Sequence, residues 1–162
     1  MTTAKLAGRP SALTNLNASD RYLAEAAAAA ARNAYAPYSR FSVGSAVRTK
    51  SGRVYSGTNL ENASYGVGMC AEVAAITAAN SAGDFNIEAI AVVGYSTEDN
   101  KRDSAVVTPC GRCRQIILEA SQVADTDVRV ICGNGDLSEI RVYAISQLLP
   151  DGFGPKNLGI DV

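Results

Sequence analysis

The sequence predicts an α/β fold in three layers, α-β-α, built on a mixed sheet of about five strands. Three observations carry that expectation. Segments of strand period alternate with segments of helical period along the 162 residues. One strand segment, Ile87 to Tyr95, is a near-continuous apolar run, the pattern of a strand covered on both faces. An alanine-rich stretch before the strands is small enough in profile to lie close against a sheet or a neighbouring chain.

Taken in order, residues 1–18 carry Gly8, Pro10 and scattered polar residues without a period, and read as a loosely ordered arm. Residues 19–162 read as a single domain, long enough for a sizeable core and free of repeats or linkers. Ser19 or Asp20 is the expected N-cap of a helix running through the alanines to about Ala34, because alanine is the best helix former. Pro37 disfavours helix at Ala36 and ends it. Phe41 to Thr49 and Arg53 to Thr58 alternate at strand period around the turn Lys50-Ser51-Gly52, which predicts a hairpin. Ala71 to Ala82 has core residues at helical spacing and ends near Gly83.

After the buried strand from Ile87, Ser96 to Asp103 reads as a charged loop, and Val106-Val107-Thr108 as a return from it. A helix is expected from Gly111 to about Ala120, then strands at Val128 to Cys132 and Ile140 to Tyr143. A helical turn at Ile145 to Leu149 precedes the turn-forming tail Pro150 to Pro155.

Composition excludes several function classes. Net charge is −1 with no run of Lys or Arg, which argues against a protein that tracks long nucleic acid. The alanine helix is too short and too weakly apolar to span a membrane. The first residues lead into no apolar segment, so the chain is read as leaderless and cytoplasmic, where C-x-x-C signals metal or redox chemistry more than disulfides. Histidine is absent, which removes Ser-His-Asp and Cys-His catalysis and every histidine metal ligand. Proton transfer near neutral pH then falls to a carboxylate, a metal-bound water, or a perturbed Lys or Cys.

The chemistry concentrates in Met69-Cys70-Ala71-Glu72 and Thr108-Pro109-Cys110-Gly111-Arg112-Cys113. Cys110 and Cys113 can aim two thiolates at one ion from the first turn of a helix, and Cys70 supplies a third. Three protein ligands leave one tetrahedral position open, as a catalytic zinc requires. Glu72 lies close enough to meet a water there without ligating the metal. A structural zinc is the other reading, with Cys132 as fourth ligand; against it, Cys132 sits alone in an apolar strand and Glu72 would have no use.

The two motifs resemble the zinc deaminases of nucleobases and nucleosides, with Cys70 where many members carry histidine. Further matches at Tyr38-Ser39-Arg40-Phe41-Ser42-Val43-Gly44, Asn59-Leu60-Glu61-Asn62-Ala63-Ser64-Tyr65 and Leu148-Leu149-Pro150-Asp151-Gly152-Phe153-Gly154-Pro155 narrow the resemblance to the small cytidine deaminases. They extend it over about Tyr22 to Leu158.

The resemblance implies a cytidine-deaminase-like sheet and one zinc per subunit. It also implies hydrolytic deamination of cytidine and deoxycytidine in pyrimidine salvage, with Glu72 as the proton shuttle. It places Asn59 and Glu61 on the ribose hydroxyls and Phe41 on the wall of the base pocket. Backbone groups at Ala71 and Cys110 would read the base edge and the leaving amine. Ala63 and Tyr65 fall in a stretch shared between subunits, and Phe153 would reach the pyrimidine in a neighbouring subunit's pocket, within a homotetramer. On residue type alone, Phe41 reads as a core residue of a strand, and Asn59 and Glu61 as turn residues.

Three thiolates overbalance the ion's two positive charges, and related three-cysteine chains often carry arginine directly after the glutamate. This chain has Val73 there. Arg112 is the first candidate for the compensating charge and Arg114 the second, the other reading being solvated helix arginines. Helix N-termini behind the cysteines would add positive dipole ends. Two further functions are weighed: deamination of a cytosine-containing antibiotic such as blasticidin S, and a non-catalytic zinc-binding or thiol-redox module. The missing basic surface argues against a polynucleotide substrate.

Overall fold

The computed structural model describes residues 9–11, 13–98 and 105–160. The helix α1, Ala18–Ala31, opens the domain. Its N-cap is Asn17, earlier than expected: the Asn17 side-chain oxygen accepts from the Asp20 N–H at 2.8 Å. Asp20 is needed elsewhere. Its fully buried carboxylate accepts from Arg48 at 3.1 Å and Arg129 at 2.7 Å, tying α1 to two strands. The helix also stops short of Ala34, because Tyr35 turns away to pair its N–H with the Asn59 carbonyl at 3.2 Å.

The sheet is mixed and six-stranded. The five expected strands are all present: β2, Phe41–Thr49; β3, Val54–Thr58; β4, Ile87–Ser96; β5, Arg129–Asn134; and β6, Ile140–Ala144. A sixth, β1, Arg9–Ser11, joins from the stretch read as an arm and pairs antiparallel with β6. Within that same stretch Leu16 is buried, while residues 1–8 and 12 lie outside the described residues. The strand order is β1-β6-β5-β4-β2-β3, and among the described pairs β4 with β5 is the parallel one. The charged loop expected over 96–103 lies mostly outside the described residues. Val106 and Val107 return to pack on the core, with the Val107 N–H toward the Gly133 carbonyl at 3.4 Å.

Alternation along β4 divides the core. Ala89, Ala91 and Val93 face α1, joined by Leu23, Ala24 and Ala27. Ile90 and Val92 face the opposite layer, formed by α2, Ala71–Ser81, and α3, Gly111–Val123. A four-residue turn of helix, α4, Ile145–Leu148, completes that layer. The layering is therefore the expected α-β-α. No helix of the described residues is long and apolar enough to cross a membrane.

Two glycines set how closely the helices approach. A Cβ at Gly44 on β2 would lie 2.1 Å from the Ala27 carbonyl oxygen and 2.3 Å from the Ala31 nitrogen, both on α1. A Cβ at Gly57 on β3 would lie 2.4 Å from the Ala75 nitrogen and 2.8 Å from the Ala71 oxygen, in the first turns of α2. The second contact matters for function, because α2 begins at the cysteine-glutamate motif.

Candidate active site

Both cysteine motifs cap helices. Cys70 is the N-cap residue of α2 and Cys110 that of α3, each with extended backbone. Their helix N-termini face the same cluster, so the positive ends of two helix dipoles converge on the sulfurs. Cys113, the third residue of α3, is buried, while Cys70 is half-buried and Cys110 exposed. The sulfurs of Cys70 and Cys110 are 4.0 Å apart and those of Cys110 and Cys113 3.5 Å, and all three lie within 4.8 Å of one another.

A tetrahedral zinc with Zn–S bonds of about 2.3 Å sets its sulfurs about 3.8 Å apart. The observed spacings bracket that edge length. The electrostatics agree. Burial, with Glu72 and the neighbouring sulfurs nearby, pushes the Cys70 and Cys113 thiols up, so three adjacent thiolates need a cation to exist together. The Cys110 thiol is held down: burial opposes this, but hydrogen bonds from the Cys113 N–H and thiol outweigh it. The donor set fits zinc, one ion per chain. Cys132 is outside the cluster, fully buried in the core of the α2 and α3 layer, and burial pushes its thiol up to about 12.

Glu72 is 5 % exposed, and that burial raises its carboxyl above the ordinary range. Ala71 beside it is fully buried at the start of α2.

The segment before Cys70 is laced to the cysteine motif by backbone. Leu60 and Met69 exchange both N–H···O bonds at 2.9 Å, and the Glu61 N–H donates to the Tyr35 carbonyl at 2.9 Å. Asn59 is then fixed by its own side chain. Its oxygen accepts from the Val43 N–H and its amide donates to the Phe41 carbonyl, each at 2.9 Å. The amide thereby holds the start of β2 and half-buried Phe41 in place. The Glu61 carboxylate accepts from the Tyr38 N–H at 2.9 Å and the Ser39 N–H at 3.2 Å. The Ser39 hydroxyl and these N–H groups hold its pKa below the ordinary value.

Glu61 lines a cavity of about 300 Å³ with Tyr38, Ser39, Asn62, Tyr65 and Gly68. The rings of Tyr38 and Tyr65 meet at its edge, centroids 5.6 Å apart and tilted by 58°.

The remaining sequence-predicted residues differ in exposure and partners. Ala63 is exposed and Tyr65 is 79 % exposed. Phe153 is 61 % exposed on the tail. Arg112 is exposed on the first turn of α3. The Arg114 guanidinium instead bonds the Pro109 carbonyl at 2.8 Å and the Leu148 carbonyl at 3.0 Å, gripping the residue just before Cys110. Sequence reasoning missed Gly57 and Gln115, whose amide donates to the Phe153 carbonyl at 2.7 Å. A glycine in a strand facing a helix start is a readable sign of close approach; a glutamine on a helix carries no comparable sign.

Comparison with known proteins bears directly on this geometry. Residues 17–129 match the family model of the cytidine and deoxycytidylate deaminase zinc-binding region, a span containing all three clustered cysteines. The chain is 45 % identical over 131 residues to a cytidine deaminase of Halalkalibacterium halodurans, covering 80 % of this chain and 89 % of that one. It is 40 % identical over 133 residues to a cytidine deaminase of Mycobacterium tuberculosis, covering 80 % and 85 %. The crystal structure of a cytidine deaminase from Burkholderia pseudomallei superposes with a TM-score of 0.70 at 41 % identity, over 82 % of this chain and 97 % of that one.

Proposed function

The chain belongs to the cytidine and deoxycytidylate deaminase family, and from that premise we infer that it hydrolyses cytidine and deoxycytidine to uridine and deoxyuridine, releasing ammonia. The observation that carries this reading is a buried carboxyl, Glu72, two residues past one sulfur of a three-cysteine cluster spaced for zinc. Cys70, Cys110 and Cys113 would hold the zinc, which when bound would supply Lewis acidity and acidify a water near neutral pH.

Glu72 is the residue that moves protons. Its burial raises its pKa above the ordinary carboxylate value, the direction a proton-carrying carboxyl needs. It takes a proton from the attacking water and passes it to N3 of the pyrimidine as the water oxygen bonds to C4, then passes the second proton of that water to the exocyclic amine; the C4–N bond breaks, ammonia departs and the C4 carbonyl forms. The backbone of Ala71 and Cys110 reads the base edge and the leaving amine.

Phe41 walls the base, held there by the Asn59 amide. Asn59 and Glu61 take the ribose hydroxyls. Both side chains keep acceptor capacity beyond the backbone bonds described above. Arg114, one residue past Cys113, contributes positive charge behind the Cys110 loop, with Arg112 on the exposed side of the same turn.

Tyr35, Tyr38, Leu60, Tyr65 and Val67 are large, apolar and exposed around this site. We read them as surfaces that other subunits cover, with Ala63 and Tyr65 at the crossing, Phe153 entering the neighbour's pocket, and the assembly a homotetramer. Action on free nucleosides would place the enzyme in pyrimidine salvage in the cytoplasm. The cytidine deaminases among its relatives favour that substrate class over an antibiotic and favour catalysis over a bare zinc or redox module.

The test is ultraviolet-monitored deamination by zinc-loaded protein, with cytidine, deoxycytidine, cytosine and blasticidin S in parallel. Turnover of the two nucleosides is expected, with Glu72→Ala inactive yet still binding about one zinc per chain. Turnover of blasticidin S alone would move the assignment to the antibiotic. No turnover with zinc bound would sink the enzyme reading.

A further inference from the structure

The C-terminal tail is fastened to the same helix that carries Cys113. Directly after that cysteine, Arg114 bonds the Leu148 carbonyl and Gln115 bonds the Phe153 carbonyl. Further along α3, the Gln122 side-chain oxygen accepts from the Lys156 N–H at 3.0 Å, and within the tail the Asn157 side-chain oxygen accepts from the Gly154 N–H at 2.9 Å. Either side of Phe153 the backbone presses on α3. A Cβ at Gly152 would lie 2.5 Å from Leu118, and one at Gly154 would lie 2.5 Å from Gln122.

The backbone is therefore held on both sides of Phe153 while the residue itself stands 61 % exposed. Packing of this chain alone gives no reason to fix a backbone beneath an exposed ring. Binding does, because ordering a side chain in advance removes an entropic cost that would otherwise fall on association.

We propose that Gln115 is a positioning residue for the deamination reaction: its amide sets the place of Phe153, so that the tail serving one pocket is built on the zinc helix of another. The proposal rests on the reading of Phe153 given above, in which the ring enters a neighbour's pocket. Gln115 touches neither metal nor substrate and acts through the Phe153 backbone.

The test is a double-mutant cycle on the zinc-loaded enzyme with Gln115→Met, which keeps length and removes the donor, and Phe153→Ala. The expected result for Gln115→Met is a two- to tenfold rise in KM for cytidine, the size that loss of one neutral hydrogen bond gives. The effect on kcat should be smaller, and zinc content should stay at the wild-type value. The double variant should be no worse than Phe153→Ala alone. If Phe153→Ala raises KM while Gln115→Met leaves it unmoved, or if the two effects multiply, the positioning role is overturned and the reading of Phe153 stands. If Phe153→Ala itself has no effect, that reading fails and takes the proposal with it.

Discussion

Replacing Gly57 by alanine tests whether helix placement sets the chemistry. The new methyl group would sit 2.4 Å from the Ala75 nitrogen and 2.8 Å from the Ala71 oxygen. Both are backbone atoms, so no rotamer change relieves the clash. Restoring an ordinary contact of 3.4 Å moves α2 by about 1 Å away from β3. Cys70 and Glu72 ride on that end of α2, and the Cys70–Cys110 sulfur separation of 4.0 Å already sits at the long side of the zinc edge length. We expect kcat to fall on the order of 100-fold, the usual cost of a 1 Å misplacement. Zinc should bind more weakly, and stability should drop by about 1–3 kcal/mol from overpacking.

Gly44→Ala is the control. It intrudes on α1 at 2.1 Å from the Ala27 oxygen, a comparable clash on the layer that carries no clustered cysteine. It should lose stability yet keep its zinc affinity and kcat within about twofold. The assays are chelator competition for zinc, urea unfolding, and initial rates on cytidine at full zinc occupancy. Wild-type turnover by Gly57→Ala, or an equal loss of turnover in Gly44→Ala, would refute the reasoning.

Asn59→Ala strips the partners from the Val43 N–H and Phe41 carbonyl, so it should raise KM and lower the urea-derived stability by about 1–3 kcal/mol, a loss an intact β2 start would contradict. Cys132→Ala should keep one zinc per chain and near wild-type kcat at a cost of about 1 kcal/mol, since the thiol lies in the core; metal analysis showing lost zinc would make it a ligand after all. Asp84 accepts from the hydroxyls of Ser51, Thr49 and Tyr55, which lower its pKa below the ordinary 3.8. A lowered folded pKa stabilises above the unfolded value and is lost as pH falls through the folded one, so the margin of wild type over Asp84→Asn should be constant near pH 7 and shrink below about pH 4 in urea titrations.

The cysteine corner was legible because its information is local. C-x-x-C and C-x-E fix sulfurs and carboxyl relative to one helix start each, and both starts then meet on one face of the sheet. The five main strands were legible for the same reason, through alternation or a continuous apolar run. What stayed hidden depends on distant partners. The strand Arg9–Ser11 has three residues and contains Pro10, so only its pairing with β6 defines it. Asp20 looks like a helix cap in sequence, and becomes an ion-pair centre once Arg48 and Arg129 arrive from β2 and β5. Glu61 reads as a turn residue on type alone, and the fold sets its carboxylate on the N–H groups of Tyr38 and Ser39. Gln115 gains its partner from a tail 38 positions away.

The cysteine cluster also makes the metal a structural tie between α2 and α3, two helices whose ligands are 40 positions apart in the chain. Closing such a loop is an entropic cost that an unfolded chain avoids and a loaded one cannot. Binding energy at this corner is therefore folding energy as well. Free zinc becomes a variable of stability: each tenfold rise above the dissociation constant adds about 1.4 kcal/mol to the loaded fold. A cell that withholds zinc would then lose more than turnover. It would shift this chain toward forms in which Cys110, already the exposed member, faces solvent as a free thiol, so metal supply sets how much of the chain stays folded as well as how fast it turns over.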